Sequence, residues 1–408
     1  MNNKKEILKF PKNFLWGTST SAYQIEGGIT NDWSEWEKKR VESKKFLSSG
    51  KIADDFLCGK ACDSYNRYSE DLALVKELGC GAFRLGIEWA RIEPREDEYD
   101  QKEIEHYKKV LIEAREKGIQ TVVTLWHWTN PLWLRDKGGW TNPEAIEHFS
   151  RYTLKIVEEL GQYIDYWITL NEPLVHVLNG YLINKFPPQK KCPREAIKVF
   201  NNLYKAHNEA YKIIHKIFPY TNVSITHLVN YYEPARKWNP IEFFMAKAMH
   251  YLANDRFLKK IKNHLDFIGV DYYFHDRIVC YPPFRKNLNI ETNDMGWEIY
   301  PRGIYHVLLK LNKYSLPIIV MENGIPDRRD KKRQWFIPAH LKYVHKAIEK
   351  GVNVKGYFYW SLLDNFEWAA GFDPKFGLYE VDRKTFERKA RPSARMYSKI
   401  CKNNQIEI

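Results

Sequence analysis

Long apolar runs are absent from this 408-residue sequence; none approaches the ~18 residues that a membrane-spanning helix needs. The N-terminus, Met-Asn-Asn-Lys-Lys-Glu-Ile-Leu-Lys-Phe, holds no apolar core of the kind that marks a secretion signal. The expectation is a cytoplasmic chain with no membrane partner. Cysteine is scarce as well. Its six thiols, Cys58, Cys62, Cys80, Cys192, Cys280 and Cys401, are scattered, which argues against a disulfide framework and for free, mostly buried thiols. The one close pair, Cys58 and Cys62, has neither CxxC spacing nor a His pair beside it, so no structural metal is expected. No glycine-rich phosphate loop follows a strand-like run, and no nucleotide or other cofactor is expected. Linker-like stretches are missing too, so residues 1–408 read as one domain.

Acidic charge is in deficit. Against 64 Lys and Arg stand 51 Asp and Glu, a formal net charge of +13. A basic balance can serve nucleic acid or an anionic surface. Here, however, the cations are mixed with Glu on helical faces, as in Glu103 to Lys117. The densest run, Arg328-Arg329-Asp330-Lys331-Lys332-Arg333, is short and interrupted by an acid. It reads as solvated surface, and no nucleic-acid partner is expected. What the chain does have is 44% hydrophobic and 15% aromatic residues, which excludes disorder.

A helix that ends in Gly and is followed by a β-rich run recurs along the chain. Gly79 precedes Ala82–Ile87, Gly118 precedes Gln120–Leu125, Gly161 precedes Tyr166–Leu170, and Gly351 precedes Val354–Tyr359. Glycine just past a helix is expected in the left-handed conformation that ends it. Between these runs the periodicity is helical. Ile104, Tyr107, Leu111 and Ala114 share one face, and so do Ile146, Phe149, Thr153, Ile156, Val157 and Leu160, after a capping signal at Thr141-Asn142-Pro143-Glu144. Phe14–Thr20, Asn222–Val229, Asp266–Tyr273 and Leu316–Asn323 complete eight strands. Several are continuous apolar runs, as parallel strands covered on both faces should be. Eight β units with intervening helices predict a single-domain α/β fold, the closed (β/α)8 TIM barrel.

In such barrels the chemistry sits at the C-terminal ends of the strands. Arg84 lies in the second strand, His127-Trp128 follows the third, and Asn171-Glu172-Pro173 follows the fourth. Tyr272-Tyr273 ends the sixth, Glu322-Asn323-Gly324 the seventh and Trp360 the eighth. Two opposed carboxylates amid Trp, Asn, Gln and His are what glycoside hydrolysis needs. Aromatic faces stack on a sugar ring while fixed polar groups read its hydroxyls. A lone His or Trp is ordinarily a packed core residue, so only the company these residues keep gives them weight.

That company is a set of ordered blocks: Phe14-Leu15-Trp16-Gly17-Thr18-Ser19-Thr20-Ser21-Ala22-Tyr23-Gln24-Ile25-Glu26-Gly27, Thr169-Leu170-Asn171-Glu172-Pro173, Met321-Glu322-Asn323-Gly324, Trp360-Ser361-Leu362-Leu363-Asp364-Asn365-Phe366-Glu367-Trp368 and Phe376-Gly377-Leu378-Tyr379. From about Phe10 to Tyr397 the chain resembles glycoside hydrolase family 1, the β-glucosidase/β-galactosidase group. The resemblance implies a retaining hydrolase of terminal β-linked neutral sugars. In it Glu322 is the nucleophile and Glu172 the acid/base, with Arg84 and Tyr273 beside Glu322. Gln24, His127, Asn171 and Glu367 would bond the sugar hydroxyls, and Trp128, Trp360, Trp368 and Phe376 would wall the pocket. The partner implied is a small oligosaccharide or an aryl or alkyl β-glycoside, a β-glucoside first and a β-galactoside or β-fucoside next. Glu367 would repel a 6-phosphate. A transglycosidase would use the same intermediate, whereas a non-hydrolytic sugar-binding relative would be expected to have lost a carboxylate, and both are here.

The chain departs from the family pattern in three ways. The connections around Val279–Ile304 and Ile325–Ile337 are short, which predicts a more open cleft. Thr129 stands where an Asp commonly follows His-Trp. Asp271 stands where Asn is usual, and either raises the pKa of Glu172 or is shielded by an arginine.

Overall fold

The eight β-rich runs become the strands of one closed parallel barrel in the computed structural model, which describes residues 6–43 and 53–408. Residues 1–5, part of the N-terminal stretch read for a secretion signal, lie outside the described residues. The strands are β1 (Leu15–Ser19), β2 (Ala82–Gly86), β3 (Gln120–Trp126), β4 (Tyr166–Asn171), β5 (Asn222–Leu228), β6 (Ile268–Asp271), β7 (Ile318–Asn323) and β8 (Val354–Trp360). Each pairs with its neighbour in sequence, and β8 closes on β1 with Trp360 opposite Ser19. The expected strand Asp266–Tyr273 is shortened to β6, which leaves Tyr272 and Tyr273 beyond the ladder at the barrel mouth.

A compact cluster fills the barrel: Ala82, Val122, Ile168, Phe267, Ile319, Met321 and Phe358. Outside it, the helix Gln101–Glu116 buries Ile104, Tyr107, Leu111 and Ala114, and the helix Ala145–Leu160 buries Phe149, Thr153, Ile156, Val157 and Leu160. Ile146 is only half-buried, at the edge of that face. Each fully buried large apolar side chain contributes about 1.5–3 kcal/mol relative to exposure, so the faces with helical spacing fix the helices against the strands. The capping signal acts two residues early. Asn142 Oδ1 accepts from the Glu144 N–H at 3.1 Å, and Glu144 itself caps Ala145–Leu160 with no side-chain bond.

Three of the four helix-ending glycines are left-handed as expected: Gly79 at φ 75°, Gly118 at 71° and Gly351 at 84°. Gly161 is not. Its φ is −56°, and the chain continues into a 3-10 turn, Gly161–Tyr163. A Cβ there would lie 2.2 Å from the Phe218 ring, so the glycine serves close packing and not the turn. All six cysteines are free; Cys58, Cys62, Cys80 and Cys401 are buried. The Arg328–Arg333 run is not uniformly solvated. Arg333 is fully buried, donating to the Tyr359 hydroxyl at 2.9 Å and to the Asp327 carbonyl at 3.0 Å, and it is paired with Asp330. A buried guanidinium of this kind fastens the loop after β7 to β8. Among the described residues no helix is long and apolar enough to cross a membrane.

Candidate active site

The strand ends bring the predicted polar residues to one place. Glu322, on β7, pairs in register with Asp271, the last residue of β6. The Glu-Asn-Gly block is locally determined. Asn323 is buried, donating to the Tyr272 carbonyl at 2.7 Å and accepting from the Tyr357 hydroxyl at 2.8 Å. Gly324 passes so close to β8 that a Cβ would sit 1.8 Å from the Trp360 carbonyl oxygen. Across the mouth, Glu172 follows β4 in a left-handed conformation, φ 39° and ψ 58°. That geometry costs a non-glycine residue about 1–2 kcal/mol. It is held by the Glu172 N–H donating to the Thr226 carbonyl at 3.0 Å and by Pro173, whose ring starts the next helix.

The two glutamates have unlike surroundings. Arg84, fully buried on β2, places Nη1 on Glu322 Oε1, Nη2 on Asn171 Oδ1 at 2.5 Å and Nε on Thr124 Oγ1 at 3.1 Å. Tyr273 donates its hydroxyl to Glu322 Oε2 at 3.0 Å. Burial pushes the Glu322 carboxyl up from its ordinary pKa, while Arg84 and then Tyr273 pull it back. Glu172 receives neither donor, and its Oε1 has no partner. Burial first, then the charges of Asp271 and Glu322, push its pKa well up. One oxygen from each of Glu172, Asp271 and Glu322 lies within 4.8 Å of the others.

The residues expected to meet a sugar surround this centre. Asn171 accepts from Arg84 and from Thr226 Oγ1 (2.6 Å) and donates to His127 Nε2 at 2.9 Å. Nδ1 of His127 is then the ring's donor, and it is buried with no partner. Burial and Arg84 hold the imidazole well below its ordinary pKa, hence neutral. Glu367 is half-buried with Oε2 unpartnered, and burial followed by Glu322 pushes its pKa to about 8. Gln24 is more committed than expected. Its amide donates to the Phe366 carbonyl at 2.7 Å and to Asn365 at 3.2 Å, and its oxygen accepts from Ser21 at 2.7 Å. Trp368 lies 4.9 Å from Trp128 and 5.6 Å from His127, ring centre to ring centre, and Trp360 lies 6.3 Å from His127. Phe376 stands edge-on to Tyr273 at 6.4 Å.

Sequence reasoning missed two contributors. Thr226, inside β5, fixes Asn171 as described. Trp297, in the connection after β6, lies 6.3 Å from both Tyr273 and Phe376; only its aromatic character in a loop pointed to it. Thr129 does not touch the centre. It donates to Glu88 Oε2 at 2.9 Å, and burial raises the Glu88 pKa to about 7. Asp271 accepts no hydrogen bond from an arginine: Arg84 bonds Glu322, Asn171 and Thr124, and only its charge acts on Asp271, against the larger effects of burial and Glu322. Among the described residues, Glu172, Asp271 and Glu322 form the one grouping tight enough to surround a cation. Arg84 already supplies positive charge there, paired with Glu322.

The sequence pattern of glycosyl hydrolase family 1 matches this chain over residues 7–261 and 242–406. Beta-glucosidase A of Thermotoga maritima is 33% identical over 446 aligned residues, covering 98% of this chain and 99% of the relative. A beta-galactosidase of Pyrococcus woesei is 30% identical, covering 97% of this chain and 98% of the relative. The solved structure of a beta-glycosidase from Pyrococcus horikoshii superimposes with a TM-score of 0.89 at 37% identity, over 99% of this chain and 97% of that one. The closed parallel barrel and these matches define a glycoside hydrolase. The chain belongs to glycosyl hydrolase family 1.

Proposed function

We propose that the protein hydrolyses terminal β-linked neutral sugars with retention, through a covalent glycosyl–enzyme on Glu322 and with Glu172 as acid/base. One observation carries the assignment of roles: Arg84 and Tyr273 both donate to Glu322 and neither to Glu172. Hydrogen bonds to a charged group are worth about 1.5–3 kcal/mol each, so Glu322 ionises before Glu172. A nucleophile must be ionised and an acid must hold its proton, and the surroundings divide the pair accordingly. The spacing supports retention. Carboxyl oxygens within 4.8 Å match the ~5–5.5 Å of retaining enzymes and leave no room for the attacking water of inverting ones, which needs ~6.5–9.5 Å.

In the first step Glu322 attacks the anomeric carbon as the bond to the leaving oxygen breaks, and Glu172 gives that oxygen its proton. Ester formation removes the charge of Glu322, one cause of the raised pKa of Glu172, which now takes a proton from the incoming water. Asn171, held by Arg84, Thr226 and His127, bonds the 2-hydroxyl in this reading, a contact that strengthens in the transition state. Trp128, Trp360, Trp368 and Phe376 supply the walls, while His127 and Glu367 offer unpartnered polar atoms to the remaining hydroxyls.

Beta-glucosidase and beta-galactosidase relatives support a β-glucoside as first substrate and a β-galactoside as second. Glu367 offers a 6-phosphate no positive charge, which disfavours a phosphorylated sugar. The test is initial rates on aryl β-glucoside, β-galactoside, β-fucoside, β-mannoside and 6-phospho-β-glucoside. Turnover of neutral sugars with the phosphosugar inert is the expected result. Preference for the phosphosugar would overturn the reading of Glu367, and silence on every sugar would overturn the hydrolytic function.

A further inference from the structure

Asp271 is the one carboxylate of the centre that the hydrolytic scheme above does not use. It is fully buried, and neither of its oxygens has a hydrogen-bond partner. An ionised carboxylate in that condition loses its hydration with nothing in return, a cost of several kcal/mol in a protein interior. The neighbouring donors make their hydrogen bonds to other acceptors. Arg84 serves Glu322, Asn171 and Thr124, Thr226 Oγ1 gives its one proton to Asn171, and Tyr273 gives its proton to Glu322. The remaining group with free capacity is Glu172, whose Oε1 is also unpartnered and which has an oxygen within 4.8 Å of one on Asp271.

We propose that Asp271 is a positioning residue that shares a single proton with Glu172 and keeps the acid/base protonated to higher pH than an asparagine at this place would. This rests on the assignment of Glu172 as acid/base. The surrounding charges agree with it. Arg84 faces the pair from β2, neutral His127 from β3, Glu322 from β7 and Glu367 from the segment after β8; Tyr273 lies two residues beyond Asp271 itself. From β5 the pair meets Thr226, since His227 points away to the Asn254 carbonyl at 2.9 Å. One cation thus serves three fully or nearly buried carboxyls. With Glu322 ionised against Arg84, two more negative charges this close cannot both persist, and one proton stays between them. Burial, then Glu322, indeed push the Asp271 carboxyl well above its ordinary range.

The proton count closes through the cycle. As the leaving oxygen takes the proton of Glu172, both members of the pair become carboxylates. At that moment Glu322 becomes a neutral ester, and the charge of Arg84 turns to the pair. Water then adds to the anomeric carbon, the ester bond to Glu322 breaks, and the water's proton returns to Glu172.

The experiment compares the pH dependence of kcat/KM on phenyl β-glucoside for the native enzyme, Asp271→Asn and Glu172→Gln. Loss of the alkaline limb in Glu172→Gln establishes that this limb reports the acid/base; if the limb survives there, the assignment of Glu172 fails whatever Asp271 does. Given that limb, Asp271→Asn is expected to move it to lower pH by about one unit or more, a roughly tenfold relative loss on the alkaline side. A limb that stays in place, or moves to higher pH, overturns the proposal. Should Asp271→Asn fold but turn over too slowly, the infrared carbonyl band of buried protonated carboxyl groups is followed against pH. It must titrate at lower pH in the variant than in the native protein, and a coincident titration overturns the proposal.

Discussion

The ends of β4 and β7 carry the same side chain in opposite settings. Glu322 continues a regular strand, sits beside a guanidinium and accepts a phenolic hydrogen bond. Glu172 stands one residue past its strand in a left-handed turn, with no hydrogen bond to its side chain from a cation or any other donor, facing another carboxyl. Identical chemistry in the sequence therefore becomes two chemistries in the fold, and the difference comes from neighbours on β2 and β6. The barrel makes this possible because adjacent and opposite strands end at one mouth, so a residue on β2 can serve one on β7.

The comparison is broken most severely by removing the nucleophile. Glu322→Ala should lower kcat on an aryl β-glucoside by roughly four to six orders of magnitude, because no neighbouring group can form the ester. Azide should restore turnover with the α-glycosyl azide as product, as read by NMR of the anomeric proton.

Glu172→Gln should cost less, and unevenly. For phenyl glucoside, which needs a proton on leaving, kcat/KM should fall by about 10²–10⁴-fold. For dinitrophenyl glucoside, whose leaving group departs as the anion, kcat/KM should change little. Rates that fall equally on both substrates would contradict an acid role.

Tyr273→Phe sharpens the comparison by making Glu322 more like Glu172. Losing one hydrogen bond to a charged group, about 1.5–3 kcal/mol, should reduce kcat/KM by roughly 10–100-fold. Tyr273 holds the pKa of Glu322 down, so without it that pKa rises and the nucleophile is protonated at pH values where the native one is ionised. The acid limb of the rate profile should accordingly move to higher pH.

Much of this was legible in the sequence because it is written in short range. The strands and helices follow from apolar periodicity, and the Glu-Asn-Gly and Asn-Glu-Pro blocks carry their own geometry through Gly324, Asn323 and Pro173. What was not legible depends on contacts between distant segments. Gly161 looks like a helix stop but is required by Phe218, 57 residues further along the chain. Arg333 reads as part of a solvated basic run, yet Asp330 and Tyr359 bury it. Gln24 matches a sugar-binding position, but only the fold shows its amide already bonded to Asn365 and Phe366. Asp271 stood out as an Asp where Asn is usual. The sequence left open whether an arginine would neutralise it, because that depends on where the three nitrogens of Arg84 point.

The central claim is that these surroundings make Glu322, and not its two carboxyl neighbours, the group that bonds to sugar. The direct test is inactivation with 2-deoxy-2-fluoro-β-glucosyl fluoride, whose fluorine slows both steps while its good leaving group lets the first proceed, followed by mass mapping of the digested protein. The account predicts one fluoroglucosyl group on the peptide that contains Glu322. An adduct on the Glu172 or Asp271 peptide, or inactivation without an adduct, would contradict it.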